Sequence, residues 1–226
     1  MRRTRLLPML PLAMCLWAAP AHAEFDPEFQ LWTALFLDTN RNDPGLALWL
    51  DLHARRAEGG AVGIIRPGVG YRFDRSWVVH AGYAWTPVAP DGGEVEHRHQ
   101  MWQQVLWTPA MPKPWAMAWR VRLEERFSTA GSDVALRGRF FGRGAYAIAD
   151  TPLFFVVWDE LLLNLSDADW GPQVGLGENR LFVGAGLSSP DGFRVELGYL
   201  NIILRRPATL DAAQHNIALN IFASFL

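Results

Sequence analysis

The stretch "PWAMAWRVRLEERF", residues 114–127, decides the fold. Trp115, Met117, Trp119, Val121 and Leu123 fall on one parity, and Arg120, Arg122, Glu124 and Arg126 on the other. Strand side chains alternate between two faces, whereas a helix repeats near 3.6 residues, so this pattern specifies a β-strand with one apolar and one charged face.

The same alternation extends in both directions. In "EHRHQMWQQVLW", residues 96–107, Met101, Val105 and Trp107 oppose Glu96, Arg98, Gln100 and Gln104. In "IIRPGVGYRF" the apolar set is Ile65, Val69, Tyr71 and Phe73, against Arg66, Gly68, Gly70 and Arg72. "SWVVHAGYAW" sets Trp77, Val79, Ala81, Tyr83 and Trp85 against His80, Gly82 and Ala84. "NRLFVGAGL" sets Leu181, Val183, Ala185 and Leu187 against Arg180, Phe182, Gly184 and Gly186. The terminal "HNIALNIFASFL" repeats the pattern and places Phe225 next to the last residue.

Eleven such segments are predicted, at 29–37, 46–56, 62–73, 77–86, 94–107, 115–127, 135–148, 153–165, 178–187, 193–204 and 214–225. Turn-rich connections separate them. "DRS", "ADTP" and "SSPDG" are short, whereas "TPVAPDGGE", "STAGSD", "SDADWGPQVGLG" and "RRPATLDAAQ" are longer, as expected for tight periplasmic turns and longer outer loops. With a periplasmic C-terminus, ten segments from 46 onward fit this scheme and the segment at 29–37 runs against it. Single-chain bacterial barrels are even-numbered. The expectation is therefore ten or twelve strands, with "FQLWTALFL" either paired to a missed strand, starting inside the lumen, or closing the seam irregularly.

The composition agrees with a membrane-embedded sheet. Half of the chain is apolar, with 11 Trp and 13 Phe, yet no uncharged apolar run after the start reaches the length of a membrane helix. The longest, "PLFFVVWDELLLNL", is interrupted by Asp159 and Glu160. The first residues read as a secretory signal peptide over 1–23: Arg2, Arg3 and Arg5, an apolar run, then Ala21-His22-Ala23. Cleavage there would leave a barrel domain over 24–226 and move the formal charge from −2 to −5, an acidic balance that argues against nucleic acid. The single cysteine, Cys15, lies within this segment behind Met14, a poor lipidation site, so the exported chain would rely on a closed hydrogen-bonded sheet rather than on disulfides.

Taken in order, "DPEFQLWTALFL", "EHRHQMWQQVLW", "RVRLEERF", "WDELLLNL", "ENRLFVGAGL", "ELGYLNI" and "HNIALNIF" resemble the bacterial domain of unknown function 2490, a family of predicted outer-membrane barrels. The resemblance implies location and fold; it carries no established activity and no catalytic residues. Its last strand also resembles the C-terminal signal of such barrels, although Leu226 follows the aromatic.

The expected fold is thus an all-β, antiparallel, up-and-down transmembrane barrel of about 10–12 strands. Its inward parity collects Glu96, Arg98, Gln100, Gln104, Arg120, Arg122, Glu124, Arg126, Arg137, Arg139, Arg143, Glu160, Asn164, Glu178, Arg180, Arg194 and Glu196. A charged side chain at the bilayer midplane costs about 2–4 kcal/mol, so these residues are assigned to the lumen. There they form either a salt-bridge network that fills and rigidifies the barrel or the lining of a narrow channel for small polar solutes. Arginines outnumber carboxylates, which favours anions.

His97 and His99 share a face, a spacing found in metal sites, but their parity is that of Met101, so they are expected outside near the membrane edge. Asp167 and Asp169 could bind a cation or act as a catalytic pair; a solvated turn is the simpler expectation. Serines Ser76, Ser128, Ser132, Ser166, Ser188, Ser189 and Ser224 fall almost entirely in turns and lack a Gly-x-Ser-x-Gly elbow. No catalytic residue, metal or cofactor is therefore expected. An inward His80 close to a carboxylate and a hydroxyl would favour the alternative of a barrel enzyme acting on lipid or peptide. A second alternative is a soluble periplasmic β-barrel binding protein, with the polarity reversed. The expected partners of a monomeric barrel are outer-membrane lipid, the barrel-assembly machinery and a small polar solute.

Overall fold

The computed structural model describes residues 25–39, 43–57, 59–205 and 211–225; the expected signal peptide at 1–23 lies outside them. Eleven strands form one closed sheet: β1 (Phe25–Thr39), β2 (Gly45–Ala57), β3 (Gly60–Arg72), β4 (Trp77–Pro90), β5 (Glu96–Trp107), β6 (Trp115–Ser128), β7 (Ala135–Ala147), β8 (Leu153–Asn164), β9 (Gly175–Ser188), β10 (Phe193–Leu204) and β11 (Asp211–Phe225). Each of the eleven segments anticipated from alternation is one of these strands.

The strand count is neither ten nor twelve, and of the three roles expected for 29–37 the structure shows the irregular seam. Consecutive strands pair antiparallel from β1 round to β11, and β1 then pairs with β11 in parallel, from Phe25 opposite Asp211 to Thr39 opposite Phe225. An odd meander brings its first and last strands round in the same direction, so only a parallel seam can close it. The segment at 29–37 is therefore the seam strand, and the sheet is mixed rather than wholly antiparallel. Parallel pairing is slightly weaker per residue, and side chains reinforce the seam. Phe36 stacks on Phe222 with ring centroids 4.7 Å apart, and the Ser224 hydroxyl donates to Asp38 Oδ1 at 2.5 Å.

The barrel has two rims. Strand β11 ends at the C-terminal rim, which carries connections 40–44, 73–76, 108–114, 148–152 and 189–192. Strand β1 begins at the opposite, N-terminal rim, which carries 58–59, 91–95, 129–134, 165–174 and 205–210. The expected alternation of short and long connections is blurred. Much of "TPVAPDGGE" extends β4 as far as Pro90, β3 begins only three positions after β2 ends, and "TPAMPKP" lengthens the C-terminal rim.

Alternation sorts the wall. Leu46, Val69, Tyr71, Val121, Phe155, Val183, Leu197 and Ile217 are exposed on the outside. Arg122, Glu124, Asp51, Glu196 and Asn216 are buried inside. Eight strands already give an interior that side chains just fill, and eleven give a wider one, so long and planar side chains do the filling. Trp102 lies against the wall where Gly68 and Gly82 have no side chains; a Cβ on either glycine would come within 2.5–2.6 Å of its ring. Phe182 lies in the same way over Gly184 and Gly198.

The interior is not uniformly polar, as the alternation suggested. Trp32, Ala34, Phe154, Val156, Phe182, Leu200, Ile202 and Ala218 form one apolar cluster on the inner face of β1 and β8–β11. These rings pack over small residues, so hydrocarbon as well as ion pairs fills the barrel.

Candidate functional site: the lumen

The expected lumen residues all lie on strands at the inward parity, and most join around a few carboxylates. Glu124 on β6 accepts from Arg137 Nε at 2.7 Å and from Arg139 Nη1 at 2.8 Å, both on β7. Glu160 on β8 accepts from Arg120 Nη2 and Arg139 Nη2, each at 2.6 Å, with Arg180 Nη1 at 3.4 Å. Arg180 also donates to Glu178 at 2.5 Å. The planar guanidinium of Arg139 thus bridges two carboxylates, a geometry that the fork of an arginine permits and the point charge of a lysine does not.

A second strut crosses from β7 to β10. Glu196 Oε1 accepts from Arg143 Nη2 at 2.7 Å, and Arg194 Nε lies 3.0 Å from the same oxygen. Gln104 Oε1 receives Arg122 Nε at 3.0 Å and Nη2 at 2.6 Å, and Gln104 also meets His80 Nδ1 at 3.3 Å. Arg122 itself has no side-chain exposure and stacks over Trp102 at 4.6 Å. It is part of the packed interior and lines no open path. Glu96, Arg98 and Ser128 form a separate group near the N-terminal rim, and Gln100, Arg126 and Asn164 line a cavity at that end.

Sequence reasoning left β1 and β2 out of this set. Asp51 is fully buried and accepts from Trp49 Nε1 at 2.7 Å and from Arg66 Nη1 at 3.1–3.2 Å. Trp32 Nε1 can only donate, so His53 Nδ1 accepts from it at 3.0 Å, leaving His53 Nε2 to carry the hydrogen directed at Asp51 Oδ1, 3.1 Å away. The signal was present in "LALWLDLHA", where Leu46, Leu48, Leu50 and Leu52 alternate with Trp49, Asp51 and His53.

Two cavities lie along the lumen and share part of the charged layer as lining. A cavity of about 450 Å³ opens toward the C-terminal rim and one of about 500 Å³ toward the N-terminal rim. Trp32, His53, Arg66, Arg139 and Arg180 line both and form the waist between them. The second cavity is roofed by residues 170–174 of the β8–β9 connection, with Arg126 5.1 Å from the Trp170 ring.

Asp169 holds that roof. Its carboxylate accepts from the backbone of Ser132 at 2.9 Å and of Asp133 at 3.2 Å, and from the Ser132 hydroxyl at 3.0 Å. These donors keep its carboxyl below the usual aspartate range. Asp167 accepts from the Val174 amide at 2.7 Å. Both aspartates thus clasp the loop. Ser128, expected in a turn, ends β6 and donates to Glu96, and Ser224, expected in the last strand, lies in β11 and donates to Asp38.

His97 and His99 lie on the outer face near the N-terminal rim. Trp85 Nε1 donates to His97 Nδ1 at 3.2 Å, and the Tyr83 hydroxyl lies 2.5 Å from His99 Nδ1. Tyr199 and His215, on β10 and β11, repeat the second arrangement at 2.5 Å. No group of three or more His, Cys, Asp or Glu side chains set to hold a metal occurs among the described residues.

No solved structure matches the chain. An uncharacterized protein of Methylorubrum extorquens is 30% identical to it, covering 99% of both chains. A family model described as a protein of unknown function, DUF2490, matches residues 29–214, from within the seam strand β1 to the start of β11. With eleven paired strands and most of their length inside that match, the chain belongs to the DUF2490 family.

Proposed function

We propose that the chain is a monomeric outer-membrane β-barrel whose lumen is closed at its waist, a structural wall with two blind vestibules rather than an open pore. The observation that carries this reading is its inside-out polarity. Arg122 and Glu124 have no side-chain exposure, while large apolar side chains cover the outside. A soluble barrel would bury the apolar parity instead. The strands, 12–15 residues long, exceed the roughly 9–11 needed to cross a bilayer. Aromatic pairs near the C-terminal rim, Trp77 with Trp107 and Trp115 with Tyr146, suit an interfacial girdle. The charged side chain that interrupts the band at mid-strand, Asp159, is held by Asn179 Nδ2 at 3.0 Å.

Two further observations bear on the alternatives. Both ring nitrogens of His53 are engaged by Trp32 and Asp51, and His80 meets Gln104 rather than a carboxylate and a hydroxyl, the arrangement expected of a barrel enzyme. A narrow channel remains the second reading, because a single layer of side chains separates two aligned cavities.

In this reading the C-terminal rim faces the periplasm, lipid contacts the outer wall, and the barrel-assembly machinery inserts the chain. The test is fractionation of the producing cells, with migration of unheated and boiled samples compared on a gel. The protein is expected in the outer-membrane fraction, with a folded band that shifts on boiling. Recovery in the soluble periplasmic fraction would contradict the proposal and favour a soluble β-barrel.

A further inference from the structure

We infer that the vestibule at the C-terminal rim binds a small organic anion with a planar apolar body, such as an aromatic carboxylate or sulfonate. The inference rests on the closed-waist reading, which makes this vestibule a pocket rather than half of a channel. Its volume, about 450 Å³, lies within the range of pockets that enclose small ligands.

The walls supply the apolar half of the recognition. Phe36 and Phe222, stacked within 10° of parallel, lie on the seam side with Trp49, while Phe141 and Trp158 come from β7 and β8. Rings lining a cavity in this way suit an aromatic ligand, since edge-to-face as well as offset contacts of aromatic pairs contribute beyond the area buried.

The charged half is a cationic surplus. Glu196 Oε1 serves both Arg143 and Arg194, so two guanidinium groups share one carboxylate on this wall. Arg120 shares Glu160 with Arg139 and Arg180, which also pair with Glu124 and Glu178, so with Arg137 four guanidinium groups meet three carboxylates. The Nε groups of Arg120 and Arg143 are buried with no hydrogen-bond partner. Arg194 lies 3.9 Å over the Phe222 ring and Arg120 4.8 Å over that of Phe141, so their guanidinium groups stack against aromatic walls. Arg75, exposed in the 73–76 turn, adds positive charge at the mouth. A guanidinium stacked on a ring keeps its edge donors available to an oxyanion. One ligand with both characters satisfies the rings and the surplus together.

The test is calorimetric titration of the folded barrel in a non-ionic detergent with 2-naphthoate, its uncharged counterpart 2-naphthylmethanol, and inorganic phosphate. Saturable one-to-one binding of 2-naphthoate is expected, at least tenfold tighter than that of either control. Ala118→Trp fills the vestibule from a position opposite Arg143 without removing a charge and should abolish the binding. Arg75→Glu should weaken it severalfold while leaving the buried ion pairs intact. Folding of each variant is verified by its gel shift on boiling.

Absence of saturable binding, equal binding of the alcohol, or binding unchanged by Ala118→Trp would each overturn the inference. A conducting barrel would instead overturn the closed-waist reading, and it is detected separately in a planar bilayer.

Discussion

The inner wall of this barrel fills its space in two ways. Around β6–β9, Glu124 and Glu160 gather Arg120, Arg137, Arg139 and Arg180 into one ionic brace. Around β10, β11 and β1, Leu200, Ile202, Ala218 and Trp32 pack as an ordinary hydrocarbon core. Both halves occupy the inward parity, so parity fixes where a side chain points and leaves its chemistry open.

The comparison predicts different sensitivities. Glu160→Ala removes the carboxylate that Arg120 pairs with, while Arg139 keeps Glu124 and Arg180 keeps Glu178, and breaking a buried pair in this way costs about 3–5 kcal/mol. Urea unfolding followed by tryptophan fluorescence measures the loss. A cost below about 1 kcal/mol would show a hydrated lining rather than a brace. In the apolar half, Leu200→Ala removes a fully buried side chain and should cost about 2–5 kcal/mol, at the lower end if the vestibules let neighbours relax into the gap. Raised salt should leave both values nearly unchanged, because buried pairs are screened little.

The smallest effect belongs to the roof of the N-terminal vestibule, outside both halves. The Asp169 carboxyl is held below its ordinary value of 3.8, so the folded loop releases its proton more readily than the unfolded chain. Its contribution is complete above that ordinary value and is lost as pH falls through the lowered one. Proteolysis within 165–174 should therefore stay slow at neutral pH and quicken only in acid. In Asp169→Asn it should be faster at neutral pH, and the two proteins should converge in acid below the lowered value.

The difference between the two halves also explains what was legible in the sequence. Charged inward residues announce themselves by interrupting an apolar alternation, as in "RVRLEERF", so the strands and the ionic residues from β5 to β10 could be located directly. The apolar inward residues could not. In "LFFVVWDELLLN" both parities are apolar at Leu161, Leu162 and Leu163, and only the closed sheet distinguishes buried Leu162 from its neighbours. The parallel seam was hidden for a related reason. Alternation marks β1 as a strand without recording its neighbour, and the preference for even strand numbers pointed toward ten or twelve. The cluster of Asp51, His53 and Trp32 depends on that same seam strand, which brings Trp32 on β1 to the ring of His53 on β2.

The closed waist is the central claim, and conductance across a planar bilayer tests it most directly. Purified, refolded protein that shows the folded gel band should insert without steady conductance, and Arg122→Ala, which alters a packed residue rather than a pore lining, should not create an ion-selective channel. Steady wild-type conductance whose ion selectivity changes in Arg122→Ala would contradict the account and establish an open, arginine-lined pore.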